Sequence, residues 1–303
     1  MSEKKKKKIA GPVFLVSAAM IWGLSFVAQK NGMEYVDGFT FTTFRLFLAA
    51  LALLPVVIYG KRHGVNTLPP QEKAAKKKRT LKGQICVGLC LFAGLNFQQF
   101  AFNYIEAGKV GFITALYMLL VPVLGLFLKR KPPFTVWIGV ALGTFALYLI
   151  CMGGKASMTL GKGEILTLIC ALAFALHILV IFFFSDVDSV ELSFGQFTVA
   201  AVLTLICMLI FEHPTAGGLL KAAFPIFYAG VFSSTVAFTF QIVGQKRTEP
   251  TIASMLLCLE SVFSVIFAFL LPPHERMAPV EYIGCGIMFI AILIAQIVPK
   301  KNK

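Results

Sequence analysis

The stretch SAAMIWGLSFVAQKNGMEYVDGFTFTTFRLFLAALALL, residues 17–54, returns in outline as LICALAFALHILVIFFFSDVDSVELSFGQFTVAAVLTL, residues 168–205. Each copy is two apolar runs around one short polar turn. At an offset of 151, Val36-Asp37 meets Val187-Asp188, Ala49-Ala50 meets Ala200-Ala201, and Leu54 meets Leu205. Further on, Ala101-Phe102 matches Ala237-Phe238 at an offset of 136, Ile113 and Val123 match Ile252 and Val262 at 139, and Gly139 matches Gly284 at 145. The order of apolar runs, turns and breakers is the firmer part of the repeat, and the drifting offset marks loop insertions.

Hydrophobic residues make up 58% of the 303-residue chain and charged ones 14%, with a mean hydropathy of +0.82. That composition belongs to a polytopic membrane protein. A helix needs roughly 20 apolar residues to cross the hydrocarbon. Ten stretches qualify, at about 11–29, 38–59, 82–103, 108–128, 134–152, 162–183, 190–211, 220–243, 251–271 and 279–298. The expected fold is therefore all-α, with ten transmembrane helices as two five-helix repeats. Five is odd, so the repeats are inverted relative to each other. The expected organisation is a basic tail at 1–10, a first repeat at 11–152, a linker at 153–161, a second repeat at 162–298 and a basic tail at 299–303. The polar stretch from Gly60 to Gly83 is too short to fold around a core of its own, which confines any chemistry to the membrane.

The net charge of +14 is distributed as topology requires and not as nucleic-acid binding would require. With the N-terminus in the cytoplasm, 21 of the 28 Lys and Arg residues fall on inner segments, the largest group being the eight between Lys61 and Lys82. This is the positive-inside bias, and it expects both termini in the cytoplasm and a multi-pass protein of the cytoplasmic membrane. Lysine runs beside apolar helices suit anionic lipid, whereas a nucleic-acid surface interleaves basic residues with aromatics. Lys4 to Lys8 ahead of an apolar run resembles a secretion signal, but that run aligns with an internal span, so a retained helix is expected. The seven cysteines all lie in apolar runs without metal-ligand spacing. No phosphate loop, nucleophile elbow or zinc motif occurs, and neither a cofactor nor a metal is expected.

Polar side chains at membrane depth are expensive and each is a candidate for function. Glu260 sits near the middle of the ninth run, where a carboxylate costs about 2.5–3.5 kcal/mol on insertion scales, so a wet cavity, a base or protonation is expected around it. Arg45 is the other deep charge, a counter-ion for Glu260 or for a substrate carboxylate, or else a guanidinium reaching toward the interface. Gln196 takes its place in the second repeat, so the charge is not shared by the two halves. In the third run Asn96, Gln99 and Asn103 fall at i, i+3 and i+7 and form one amide stripe, read as a cavity wall or as interhelical glue. The eighth run offers Ser233, Ser234, Gln241 and Gln245. Trp22 and Tyr117 complete the expected lining, while His177 is read as a packing residue and Pro122 as a break in the fourth run or a fixed bend that shapes packing. The expected substrate site is thus Trp22, Asn96, Gln99, Asn103, Tyr117, Gln241 and Glu260, with Glu260 and Arg45 coupling an ion. Glycines in the fifth and tenth runs permit close contact with neighbouring helices or with a second subunit, as in a homodimer.

At these residues the chain resembles the EamA-type permeases of the drug/metabolite transporter superfamily. The matching pieces are Ala18-Ala19-Met20-Ile21-Trp22-Gly23, Phe44-Arg45, Val121-Pro122-Val123 and Leu259-Glu260. The chain departs from that pattern at Ser261, where the second repeat of the family usually carries proline. The resemblance implies a central cavity walled by helices one to four and six to nine, with five and ten peripheral, that moves amino acids or other small metabolites, often outward. From the residues and the resemblance together, the expectation is an alternating-access secondary transporter carrying a small-molecule substrate. A lipid flippase or a membrane-embedded lipid-modifying enzyme is the alternative. An enzyme of that kind would cluster His and carboxylates near one interface, and here they are dispersed.

Overall fold

The computed structural model describes residues 3–63, 69–105, 107–129, 132–152, 161–270 and 279–296, and every regular element among them is helical. Of the expected tails and linker, residues 1–2, 153–160 and 299–303 lie outside this description, as do Arg130, Lys131 and 271–278. The first half comprises α1 (Glu3–Gly32), α2 (Gly38–His63), α3 (Pro70–Ala101), α4 (Ala107–Ala115), α5 (Tyr117–Phe127) and α6 (Phe134–Met152). The second comprises α7 (Lys162–Phe183), α8 (Ser189–Phe211), α9 (Ala216–Lys221), α10 (Ala223–Tyr228), a π-helical segment (Ala229–Phe238), α11 (Thr239–Gln245), α12 (Pro250–Leu257), α13 (Leu259–Leu270) and α14 (Pro279–Gln296).

Six of these helical stretches are long and apolar enough to cross a bilayer: Ala10–Gly32, Gly38–Gly60, Pro70–Ala101, Lys162–Phe183, Ser189–Phe211 and Ala223–Gln245. Four shorter apolar stretches accompany them, at Ile113–Phe127, Phe134–Ala146, Pro250–Ser264 and Tyr282–Ile294. The outer surface is coated with large apolar side chains such as Leu51, Phe134, Leu209, Phe211 and Leu293. Such a coat is stable against hydrocarbon, not against water. Helices serve this setting because they satisfy every interior backbone group within one segment. The protein is a helical, multi-pass membrane protein.

Local chemistry explains the helix ends. Pro70 and Pro250 open α3 and α12 at a position where a missing N–H costs nothing. Asp188 caps α8 by accepting from Val190 N and Glu191 N at 2.9 and 3.0 Å. α2 borrows its cap from the other half: the buried Glu212 carboxylate accepts from Phe39 N, Thr40 N and Thr40 Oγ1 at 2.8, 2.6 and 2.7 Å. Two expectations are corrected. α3 starts at Pro70, about a dozen residues ahead of the third run expected at 82, so much of the lysine-rich stretch before Gly83 is a helical extension of that run. The fourth run does break, but at Leu116; Pro122 lies inside the continuous α5, six residues on.

Helices of one half pack mainly on helices of the other. α3 lies on α7, and the π segment and α11, which correspond to α3, lie on α1. α1 lies on α12 and α13, while α7 lies on α4 and α5. α2 meets the π segment, and α8 meets α3. α2 with α8 and α6 with α14 pair as counterparts. Exchanging the two halves reproduces this set of contacts. Glycines set the closest approaches: a Cβ on Gly23 would stand 2.6 Å from Phe263 Cβ, and one on Gly244 would stand 2.7 Å from Leu15 Cγ and 3.0 Å from Gly11 O. The largest buried cluster accordingly mixes Leu15, Ala18, Met118 and Val121 with Leu256, Leu257 and Val262.

The turns divide between two ends of the bundle. At one end Arg79 pairs with Asp186 through Nε and Nη2 at 2.8 Å, donates to Phe183 O and lies over the rings of Phe183 and Phe184. Lys246 Nζ donates to Val187 O beside it. At the other end Glu212 holds α2, and Phe39 meets Phe100 and Phe211. The first end gathers segments that the charge bias assigns to the inside, and the second gathers segments assigned to the outside.

Candidate functional site

Between the halves lies a partly open pocket, with about 460 Å³ of empty space counting that open to solvent. Its polar wall is Gln29, Arg45, Gln98, Thr114, Tyr117, Ser233, Gln241 and Glu260; its apolar wall is Trp22, Phe26, Leu95, Phe174, Ile178, Phe238 and Leu257. The wall draws on α1 to α5, α7, the π segment, α11, α12 and α13. α6 and α14 contribute nothing and pair at the periphery, and α8 stands behind the wall.

Two interrupted helices meet at the cavity. α4 gives way to α5 at Leu116, and α12 gives way to α13 at Cys258. The second break needs no proline. Cys258 Sγ donates to Ala115 O across the interface at 3.3 Å, and Ser261 N turns to Cys258 O in a tightened turn. The residues just past the two breaks face each other, and Tyr117 Oη donates to Glu260 Oε1 at 3.2 Å. Glu260 is buried, and no cation pairs with it among the described residues. Irregular backbone at membrane depth is tolerated where it lines a cavity, and this is such a place.

Arg45 is 1% exposed and reaches three segments. Its Nη1 donates to Gln29 Oε1 at 2.8 Å, Nε to Ser234 Oγ at 3.1 Å and Nη2 to Ser233 Oγ at 3.2 Å. Trp22 Nε1 donates to Ser233 O at 3.0 Å, and the indole lies 4.8 Å from the Phe238 ring. The π segment therefore holds two wall residues of the first half. Gln241 carries a buried Oε1 with no partner among the described residues. Gln98 Nε2 donates to Thr114 Oγ1 at 3.3 Å.

Of the seven expected substrate-site residues, Trp22, Tyr117, Gln241 and Glu260 stand on this wall, as does Arg45. Asn96, Gln99 and Asn103 do not. Asn96 Nδ2 donates to Phe92 O and to Thr204 Oγ1 of α8, which is the interhelical use of an amide. Gln99 is fully buried away from the cavity, and Asn103 is exposed in the turn after α3 has ended at Ala101. The face of α3 that meets the cavity is instead Leu95 with Gln98. Arg45 and Glu260 share the cavity without forming an ion pair. Sequence reading passed over Gln29, although it follows Trp22 at i+7 on the same face of α1 as Phe26 at i+4. His177 is fully buried and its Nε2 lies 2.8 Å from Gln196 Oε1, with Phe174 and Phe238 edge-on to its ring. Among the described residues no group of three His, Cys, Asp or Glu side chains is placed to hold a metal.

A chamber with polar and aromatic walls inside a helical bundle of apolar exterior fits a membrane transporter, and comparison with known proteins assigns the chain to that class rather than to enzymes. The chain belongs to the EamA-like transporter family, whose profile matches residues 9–152 and again residues 161–296. It is similar to an uncharacterized transporter of Archaeoglobus fulgidus, 26% identical over 96% of this chain and 87% of that one. It is also similar to the uncharacterized transporter YoaV of Bacillus subtilis, 23% identical over 90% of this chain and 94% of that one. One crystal structure superposes with a TM-score of 0.72 at 17% identity, covering 94% of this chain and 96% of its own, a likeness of fold alone.

Proposed function

We propose that the protein is a ten-span secondary transporter of the cytoplasmic membrane that moves small metabolites such as amino acids outward by alternating access. Residues 11–152 and 162–298 form two five-helix units crossing in opposite senses, with both termini in the cytoplasm. One observation carries the reading: the cavity is enclosed by broken helices from both units and holds two buried ionisable groups, Arg45 and Glu260. Sites at a repeat interface, built from discontinuous helices, are how secondary transporters expose one site alternately to either side. The gathering of Arg79, Asp186 and Lys246 at a single end supports the assignment of that end to the cytoplasm. Glu260 is the group that couples transport to protons, because among the described residues its hydrogen-bond partner is a neutral phenol and no cation pairs with it. The test is counterflow in proteoliposomes, with solutes chosen by comparing extracellular metabolites of cells lacking and overproducing the protein. Saturable counterflow is the expected result. Glu260→Gln is expected to remove the dependence of flux on pH between roughly 5.5 and 8, and an unaltered pH profile in that variant would overturn the coupling.

A further inference from the structure

Arg45 is a buried cation with no counter-charge among the described residues. Its three hydrogen-bond partners, Gln29, Ser233 and Ser234, are neutral, and no carboxylate lies within ion-pair distance among the described residues. A guanidinium carries five N–H donors, and three are used. What remains is one N–H on each of Nη1 and Nη2, and the two amino groups of a guanidinium are the ones a carboxylate can bridge. Glu260 does not fill this place, since it takes the Tyr117 hydroxyl elsewhere on the wall.

The fold itself does not require the charge. At the corresponding position of the second half stands Gln196, fully buried, which settles against His177 with no charge at all. The cost of burying a guanidinium is thus incurred only on the half whose residue meets the cavity. Beside Arg45 the wall is aromatic, with Trp22, Phe174 and Phe238.

We propose that Arg45 is an anion-binding centre and that the cavity takes an organic monoanion, its carboxylate on Nη1 and Nη2 and its apolar body against the aromatic wall. This rests on the transport reading and narrows its solute to one that carries a carboxylate and needs no ammonium group. Gln29, Ser233 and Ser234 are positioning residues that fix the plane of the fork.

The chain has two tryptophans, and only Trp22 lines the cavity, so Trp22 fluorescence in full-length Trp137→Phe protein in detergent reports occupancy. Three probes of one shape decide the matter: 3-phenylpropanoate, 3-phenylpropanamide and 2-phenylethylammonium. The expected result is saturable binding of the anion, at least about ten-fold tighter than the amide or the cation, with that preference lost in Arg45→Gln and reduced but present in Arg45→Lys. Equal affinity for amide and anion overturns the proposal, as does absence of any saturable response to the anion. So does a preference that survives in a folded Arg45→Gln; if that variant does not fold, the wild-type preference and its reduction in Arg45→Lys decide. Counterflow separates the two readings. Counterflow of the amide without the anion sinks the anion site and leaves transport standing, whereas wild-type protein that carries no solute of any charge sinks the transport reading itself.

Discussion

Arg45 on α2 and Gln196 on α8 occupy equivalent places in two halves that share a fold, and their surroundings are opposite. Around Arg45 the π segment and α1 supply hydroxyls and an amide, and the side chain reaches the cavity. Around Gln196 there is a histidine between two phenyl rings, and the site stands behind the wall. The equivalent turns differ in the same sense. The turn before α2 is locked by the buried Glu212, whereas the turn before α8 caps itself with Asp188 and is held from outside by the exposed Arg79–Asp186 pair. Duplication thus preserved the helix contacts while the chemistry at matching positions diverged.

The most severe way to break the comparison is to charge the neutral corner. Gln196→Arg buries a guanidinium against His177 with no acceptor provided for it, and a loss of roughly 3–5 kcal/mol is expected. Arg45→Gln, which removes the native charge, should cost less, about 1–3 kcal/mol, for the acceptors left on Gln29, Ser233 and Ser234. Thermal unfolding of the two variants in the same detergent gives the order, and equal stability would mean that the corners are interchangeable. A smaller effect sharpens the neutral corner alone. His177→Phe and Gln196→Leu each strand one buried partner and should cost about 1–3 kcal/mol singly, while the double substitution costs less than their sum. Additive losses would show that the 2.8 Å contact couples nothing.

The smallest effect belongs to the exposed clasp, which lies outside the apolar runs. The Arg79 guanidinium, through its hydrogen bond, holds the Asp186 carboxyl below its ordinary value, and the same bond raises Arg79 above its own. A lowered carboxylate stabilises fully above its unfolded value, about 3.9, and that contribution is lost as pH falls through the folded value. A raised guanidinium loses its contribution only as pH climbs past about 12.5. The stability difference between wild type and Arg79→Ala should therefore be flat from about pH 5 to 8, fade as pH falls through the lowered Asp186 value and shrink in high salt. A difference that grows on acidification would assign the clasp to another pair of groups.

Six of the wall residues were legible in the sequence for one reason: Glu260 and Arg45 are costly at depth, and Trp22, Tyr117, Ser233 and Gln241 carry polar atoms that an apolar helix has no use for. Asn96, Gln99 and Asn103 misled because an amide stripe serves a cavity and a helix contact equally well, and because α3 ends at Ala101, before its third member. Gln98 and Thr114 matter through each other, a pairing that only tertiary structure creates. The breaks at Leu116 and Cys258 carry no proline signature. They arise where two helices meet and exchange a thiol–carbonyl bond, which no local pattern announces. The repeat, in contrast, was visible because apolar runs and turns survive where identities do not.

The π segment, Ala229–Phe238, holds one further consequence. Its wide turns let Thr235 Oγ1 reach Gly230 O, five residues back, and bring Ser233 and Ser234 side by side onto Arg45. Each residue expelled from a helical turn swings whatever follows by about 100° around the axis. Reverting this stretch to ordinary α geometry would trade one ladder of backbone bonds for another and, in the same stroke, withdraw both hydroxyls from the guanidinium. The non-standard winding of Ala229–Phe238 is thus what seats two neighbouring hydroxyls on a guanidinium of the opposite half.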